Sequence, residues 1–261
     1  MTATFHFRTI LLGIPLALLM TACGGESGGD ADASMGKEFK PDPATGATLT
    51  GIVKFEGSPP PRVDVSTESD PVCASDAGAL SDEVTQEVVV REGRLANVFV
   101  YVSSGLDGYV APPEKPVVID QKGCRYSPHV AGVVVGQKVE FHNSDATLHN
   151  VHSLSKANPP FNIAQANLGK VDTKVFKTPE VMIPIVCDVH GWMKSYVGVM
   201  PHPFFYVTLA DGAFRIPALP PGTYMIAAWH EKYGTKTVRV TVASKETKEI
   251  GFTFNDAPPE A

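Results

Sequence analysis

The sequence predicts an all-β protein, and three observations lead there. Apolar residues recur at every second position in short runs: Val53 and Phe55 share one face against Ile52, and Val139 and Phe141 share one face against Glu140 and His142. That is the period of a half-buried strand. The runs are bounded by turn formers, with 22 prolines and 23 glycines in 261 residues, a richness that favours short strands and many turns over helices. Hydrophobic residues make up 43% of the chain, enough for one or two domains with real cores. A net charge of −6 offers no electrostatic case for binding nucleic acid.

The chain opens with Arg8, a short apolar run from Ile10 to Met20, and then Met20-Thr21-Ala22-Cys23. This resembles a bacterial lipoprotein signal (residues 1–22), in which Cys23 is lipidated and becomes the new N-terminus. Met20 stands where the usual pattern has Leu. The apolar run is short for a membrane span. The resemblance implies an exported protein held to a membrane by its lipid. Gly24 follows the cysteine instead of Asp, so the usual signal for inner-membrane retention is missing; in a host with an outer membrane this leans towards that membrane, with the chain in the periplasm or at the cell surface. Residues 23–47, rich in glycine and acids with no apolar periodicity, read as a flexible tether.

An exported protein permits disulfides. Without Cys23, three cysteines remain: Cys73, Cys124 and Cys187. One odd thiol needs a reason. A metal-bound Cys187 supplies it, and Cys73 and Cys124 then either pair or remain as two buried thiols.

Residues 48–57, 87–90 and 96–102 read as strands, with a polar stretch from Val63 to Ser81 between the first two. A new block begins at Pro116. Its strands are expected over 116–120, 133–135, 139–143, 175–176 and 181–186, with an irregular loop from Val151 to Val171. A third block, 205–209, 213–216, 223–229, 237–242 and 250–254, carries the hairpin signal Asp211-Gly212. Glu231-Lys232 reads as a solvated turn.

The chemistry concentrates in Cys187-Asp188-Val189-His190-Gly191-Trp192-Met193, a tight loop between two apolar strands. Thiolate and imidazole bind a borderline-soft metal strongly, and a thioether adds a weak, soft ligand. A second histidine is expected upstream, at a strand end, and His149 in Thr147-Leu148-His149-Asn150 is so placed. No activated serine, acid–base pair or phosphate loop emerges, so there is no positive case for an enzyme. Asp145 and Asp211 sit in turns, where Asp serves the backbone.

Strand, glycine turn, strand, Asn143, loop, His149-Asn150, then Cys-x-x-His-x-x-Met resembles a type 1 (blue) copper domain, a cupredoxin, over about residues 116–200. The ligand loop is similar to the short one of amicyanin, and Tyr126-Ser127-Pro128 is similar to the plastocyanin and amicyanin group. The resemblance implies a Greek-key sandwich holding one copper ion at one end. Its ligands would be His149, Cys187 and His190, with Met193 as the weak axial one and Asn150 supporting the loop by hydrogen bonds. It also implies that His190 reaches the surface as the exit edge for the electron. Zinc fits a Met ligand and a single Cys less well, and a c-type haem would need Cys-x-x-Cys-His. His152 could join the site or bind a second metal. His129, His142, His202 and His230 read as structural or surface residues, and Trp192 as a shield, a partner contact or plain packing.

Gly51-Ile52-Val53, with Asp211-Gly212-Ala213-Phe214 and Leu219-Pro220-Pro221-Gly222-Thr223-Tyr224, resembles the carboxypeptidase regulatory-like (transthyretin-like, or prealbumin-like) β-sandwich. On that resemblance residues 48–110 and 203–256 form a second sandwich interrupted by 116–200; a tandem order is the alternative. Two functions follow as expectations. The chain is an anchored electron carrier serving another exported redox protein, such as a c-type cytochrome or an oxidase. Alternatively it is a copper-handling or glycan- or protein-binding lipoprotein in which copper is structural or cargo.

Overall fold

In the computed structural model, residues 1–2, 4, 36–61, 65, 67, 69–75 and 87–256 are described. Cys23, nearly all of the signal segment and the first part of the tether lie outside them. The chain is all-β, with eighteen strands and one short helix among the described residues. None of their helices is long and apolar enough to cross a membrane.

The strands fall into two sets that pair only within themselves. The first set holds β1 (Ala47–Glu56), β2 (Val90–Arg91), β3 (Arg94–Leu95), β4 (Phe99–Ser104), β14 (Phe205–Val207), β15 (Ala213–Leu219), β16 (Gly222–His230), β17 (Gly234–Val242) and β18 (Thr247–Asn255). They make two sheets. One runs β15-β1-β3-β2 with β18 parallel to β1; the other runs β14-β4-β16-β17. The second set holds β5 (Val117–Gln121), β6 (Tyr126–Ser127), β7 (Val130–Val134), β8 (Lys138–Asn143), β9 (His149–Ser153), β10 (Phe161–Gln165), β11 (Val171–Val175), β12 (Glu180–Val186) and β13 (Lys194–Met200). Its sheets run β10-β9-β12-β13-β7 and β11-β8-β5-β6. The chain leaves the first sandwich after β4 and returns at β14, which pairs with β4 through Phe205 and Tyr101. Exit and return are therefore neighbours on one sheet. The helix α1 (Pro71–Ser75) lies between β1 and β2, and its Cys73 is joined to Cys124 by a disulfide.

Each sandwich has its own core. Leu49, Val53, Val100, Val102, Ile226 and Phe254 fill the first, and Ile119, Val133, Phe141, Ile185, Val197 and Val199 the second. A third cluster joins them: Phe99, Tyr101, Val130, Met182, Met200 and Ala227, with Tyr196, Phe205 and Trp229 packed on it. Strand alternation explains it. Phe99 and Tyr101 point away from the core that Val100 and Val102 enter, so β4 is apolar on both faces. The facing sheet makes room with glycine. A Cβ on Gly132 would sit 2.4 Å from the Phe205 ring, and one on Gly198 2.7 Å from that of Phe99. Beside this apolar seam lies a buried polar one. Glu231 bonds the ring of His129 and accepts the Tyr196 hydroxyl at 3.0 Å, and its side chain is largely covered. It is therefore not the solvated turn residue that local composition suggests.

Two further segments depart from the sequence reading. Within the tether, Glu38 bridges Tyr109 and the Phe39 ring stacks on Phe204 at 6.3 Å, so ordered chain begins before β1. The stretch from Val151 to Val171, expected as an irregular loop, holds β10 and leads into β11. In β11 the pattern is inverted: Val171 and Val175 face out, while Asp172 bonds Gln165 and Lys174 sits over the Phe161 ring.

His202 and His230 are buried in the first sandwich, and burial pushes each down to about 4. His202 Nδ1 has no hydrogen-bond partner among the described residues. Their folded pKa lies below the ordinary 6.5, so between these values the unfolded chain binds more protons and stability is lost as pH falls. We expect the melting temperature of the metal-free protein to drop steadily from pH ~6.5 to ~4. His202→Phe should flatten that drop, because it removes one of the titrating groups and a polar atom buried without a partner.

Candidate metal centre

The site is assembled by three strand ends. β8 ends at Asn143, whose side chain turns the following loop. Its Nδ2 donates to Thr147 O (3.0 Å) and Gln165 O (2.8 Å), and its Oδ1 accepts the Asp145 amide (2.9 Å). That loop delivers His149 as the first residue of β9. β12 then delivers Cys187, and the chain turns tightly. Met193 N donates to His190 O (2.9 Å), and Cys187 N to Met193 O (3.2 Å), before β13 departs. Asn150 ties the loop down from β9. Its Oδ1 accepts the Asp188 amide at 2.7 Å, and its Nδ2 donates to Asp188 Oδ2 at 3.0 Å. Tyr126 braces both strands from behind, its hydroxyl donating to the carbonyls of Asn150 and Val186.

His149, Cys187 and His190 converge. One donor atom from each lies within 4.8 Å of the others. The two imidazoles face each other with their Nδ1 atoms, 2.9 Å apart, and Cys187 Sγ is 4.0 Å from His190 Nδ1. All three are buried: His149 is 0% exposed, Cys187 2% and His190 2%. Met193 is buried in the same apolar cluster as Cys187. Two borderline nitrogens and a soft sulfur, brought this close together, fit a borderline-soft metal ion. A copper ion suits that donor set.

Each histidine has its outer nitrogen held by a carboxylate, and neither carboxylate was singled out from sequence. Asp145 Oδ2 lies 2.9 Å from His149 Nε2, while its carboxylate also accepts the Gly123 and Cys124 amides, both at 2.8 Å. Burial raises the Asp145 pKa, and these hydrogen bonds outweigh it, leaving the group below the usual carboxylate range. Asp70 Oδ2 lies 3.2 Å from His190 Nε2. The Thr147 hydroxyl, at 2.6 Å, is the largest influence that pulls Asp70 down to about 2. Burial pushes His149 down, but Asp145 and Cys187 outweigh it and carry it to about 9. Burial raises the Cys187 thiol, and the contact with His149 leads the effects that leave it below its ordinary value. Burial, then the charge on His149, keeps His190 low. The only sequence signal for Asp145 was its place four residues before His149, which equally suits a turn. Asp70 had none.

Other expected residues fall elsewhere. His152 is three residues beyond His149 on β9 and so on the opposite face; its ring bonds Asp188 at 2.9 Å and is part-exposed. His142 faces out beside Glu140. Most tellingly, His190 is not at the surface. Its ring is covered by Asp70, by Cys73 Sγ at 3.7 Å and by the Trp192 ring at 5.0 Å, with Trp192 Nε1 donating to Cys124 O.

No protein-family model matches the chain, and no curated protein matches it. Solved structures do. A purple cupredoxin from Nitrosopumilus maritimus is 24% identical over 33% of this chain and 99% of its own, with a TM-score of 0.28. An oxidised point mutant of amicyanin is 20% identical over 38% of this chain and 97% of its own, TM-score 0.30. A copper-containing nitrite reductase from Thermus scotoductus SA-01 is 24% identical over 38% of this chain, TM-score 0.31, and the match spans only 25% of that enzyme's chain. These structural neighbours are thus cupredoxin-fold proteins, alike to this chain over about a third of its length.

Proposed function

We propose that this protein is a single-electron carrier holding one copper ion on His149, Cys187 and His190, with Met193 as a weak fourth ligand. The observation that carries the reading is the buried convergence of two imidazoles and one thiol on a common point at the end of a sandwich. Copper bound there supplies one-electron exchange between Cu(I) and Cu(II).

The chain's own residues keep the reorganisation in such exchange small. Asp145 and Asp70 each hold the outer nitrogen of one ligand imidazole, so neither ring need turn. Asn150 and Tyr126 pin the strands that carry Cys187 and His149. The apolar cluster around Cys187 and Met193 keeps water out. With His190 covered, electrons pass through the ligand loop itself, where Val189 is 49% exposed two residues from Cys187. On this reading the partner is another exported redox protein, such as a c-type cytochrome or an oxidase, met in brief, small-area encounters. The lipid on Cys23 holds the carrier at a membrane outside the cytoplasm, and no catalytic step is assigned to the chain.

The test is optical. Residues 24–261 loaded with Cu(II) should show an intense band near ~600 nm from thiolate-to-copper charge transfer. The band should bleach on adding ascorbate and return on reoxidation with no loss of metal. A protein that releases its copper on each reduction would turn the reading to copper cargo, and a colourless one would sink it.

A further inference from the structure

His190 sits at the loop end of its sandwich, yet is 2% exposed. Only part of its cover, the Trp192 ring, comes from the β5–β13 stretch. The rest comes from the short segment that joins β1 to β2, two strands of the other sandwich. Asp70 caps α1 with one oxygen, accepting the Val72 amide at 2.8 Å and the Cys73 amide at 3.3 Å. Its second oxygen is left for His190 Nε2 and the Thr147 hydroxyl. Cys73 then places its sulfur 3.7 Å from the same Nε2, and the disulfide carries the segment to Cys124. Cys124 Sγ in turn clusters with Asp145 and His149. The bridge therefore lies behind both ligand imidazoles at once, on the side away from their facing Nδ1 atoms.

We propose that Asp70–Ser75 is a built-in lid of the metal centre. Asp70 is a positioning residue for His190, and the Cys73–Cys124 bridge holds the lid shut. The proposal rests on the copper reading for its second half only, since the covering of His190 belongs to the metal-free chain. It also gives the first sandwich a part in the site: it supplies a carboxylate and a cover that the second lacks.

Two measurements test it on the full mature chain. The metal-free protein is treated with diethyl pyrocarbonate, and each histidine is read by peptide mass spectrometry. His190 should be protected relative to part-exposed His142. In Cys73→Ala/Cys124→Ala it should react at least about tenfold faster, while buried His202 and His230 stay protected. Equal protection of His190 in both proteins overturns the lid. So does labelling of His202 and His230 in step with His190, because the bridge would then hold the whole fold.

The second measurement uses copper-loaded Asp70→Asn. Removing a negative charge from the outer nitrogen of a ligand disfavours the more highly charged metal. The reduction potential should therefore rise with the visible band retained, and Asp70→Glu should restore it. An unchanged potential overturns the positioning role. Absence of the band in the unmutated protein would sink the copper reading, while the labelling result would still decide the lid.

Discussion

A Cys187→Ser protein loaded with Cu(II) is expected to lose the ~600 nm band completely while folding as before. The two effects separate because they depend on different properties of the atom. The band needs a thiolate, whose filled sulfur orbitals donate charge to the metal. A serine hydroxyl stays protonated at neutral pH and is a hard, poor ligand. Folding needs only a small buried side chain that can accept the His190 amide, which now reaches Sγ at 3.4 Å. An oxygen can do that, so the stability of the metal-free protein should change by no more than about 1 kcal/mol. Spectra and melts of the two proteins, taken side by side, check both halves. A blue colour that survives the substitution would mean that Cys187 is not the ligand, and the carrier reading would fall.

Asp145→Ala is expected to be the most destabilising single change near the site. The Asp145 carboxylate serves three donors, the Gly123 and Cys124 amides and His149 Nε2, all between 2.8 and 2.9 Å and all buried. Alanine leaves every one of them without an acceptor in a place water does not reach. At ~1–3 kcal/mol for each unsatisfied donor, partly relieved by relaxation, the loss should be about 3–5 kcal/mol. For a chain of this size that is roughly 10 °C in melting temperature. Copper affinity should fall about 10- to 100-fold as well, since His149 loses the partner that orients its ring. Asp145→Asn keeps one acceptor oxygen and should recover part of the stability. Calorimetry of the metal-free proteins and competition with a copper chelator read the two effects separately. A stable Asp145→Ala protein would mean that the 123–124 turn is held by something else.

Much of this was legible because it is local. The ligand loop packs Cys187, His190 and Met193 into seven residues, and no tertiary information is needed to see that the three side chains must lie close together. The strands with one dry and one wet face were visible for the same reason: period two in β1 or β8 is written in consecutive residues. All of β11 but its end at Val175 escaped, because its valines face solvent and its Asp172 and Lys174 turn inward to Gln165 and Phe161. A hydrophobic pattern read from sequence puts the wrong side in.

What sequence by itself determined is the strand content, the turn positions and the donor set on one short loop, all consequences of neighbours along the chain. Tertiary structure alone decided what depends on residues far apart. Val98 to Val102 reads as an apolar strand whether one face or both are covered, and only the stacking of β4 on β7 and β13 uses Phe99 and Tyr101. That β4 lies against β14, with β5 to β13 between them in the chain, is likewise a matter of pairing. The same holds at the metal centre. Asp70 is 120 residues from His190, in a polar stretch with no pattern of its own, and a carboxylate there is indistinguishable from a solvated one until folding brings its oxygen to the imidazole. Burial of His190 follows from that contact, because a side chain's exposure is set by whatever the rest of the fold lays over it.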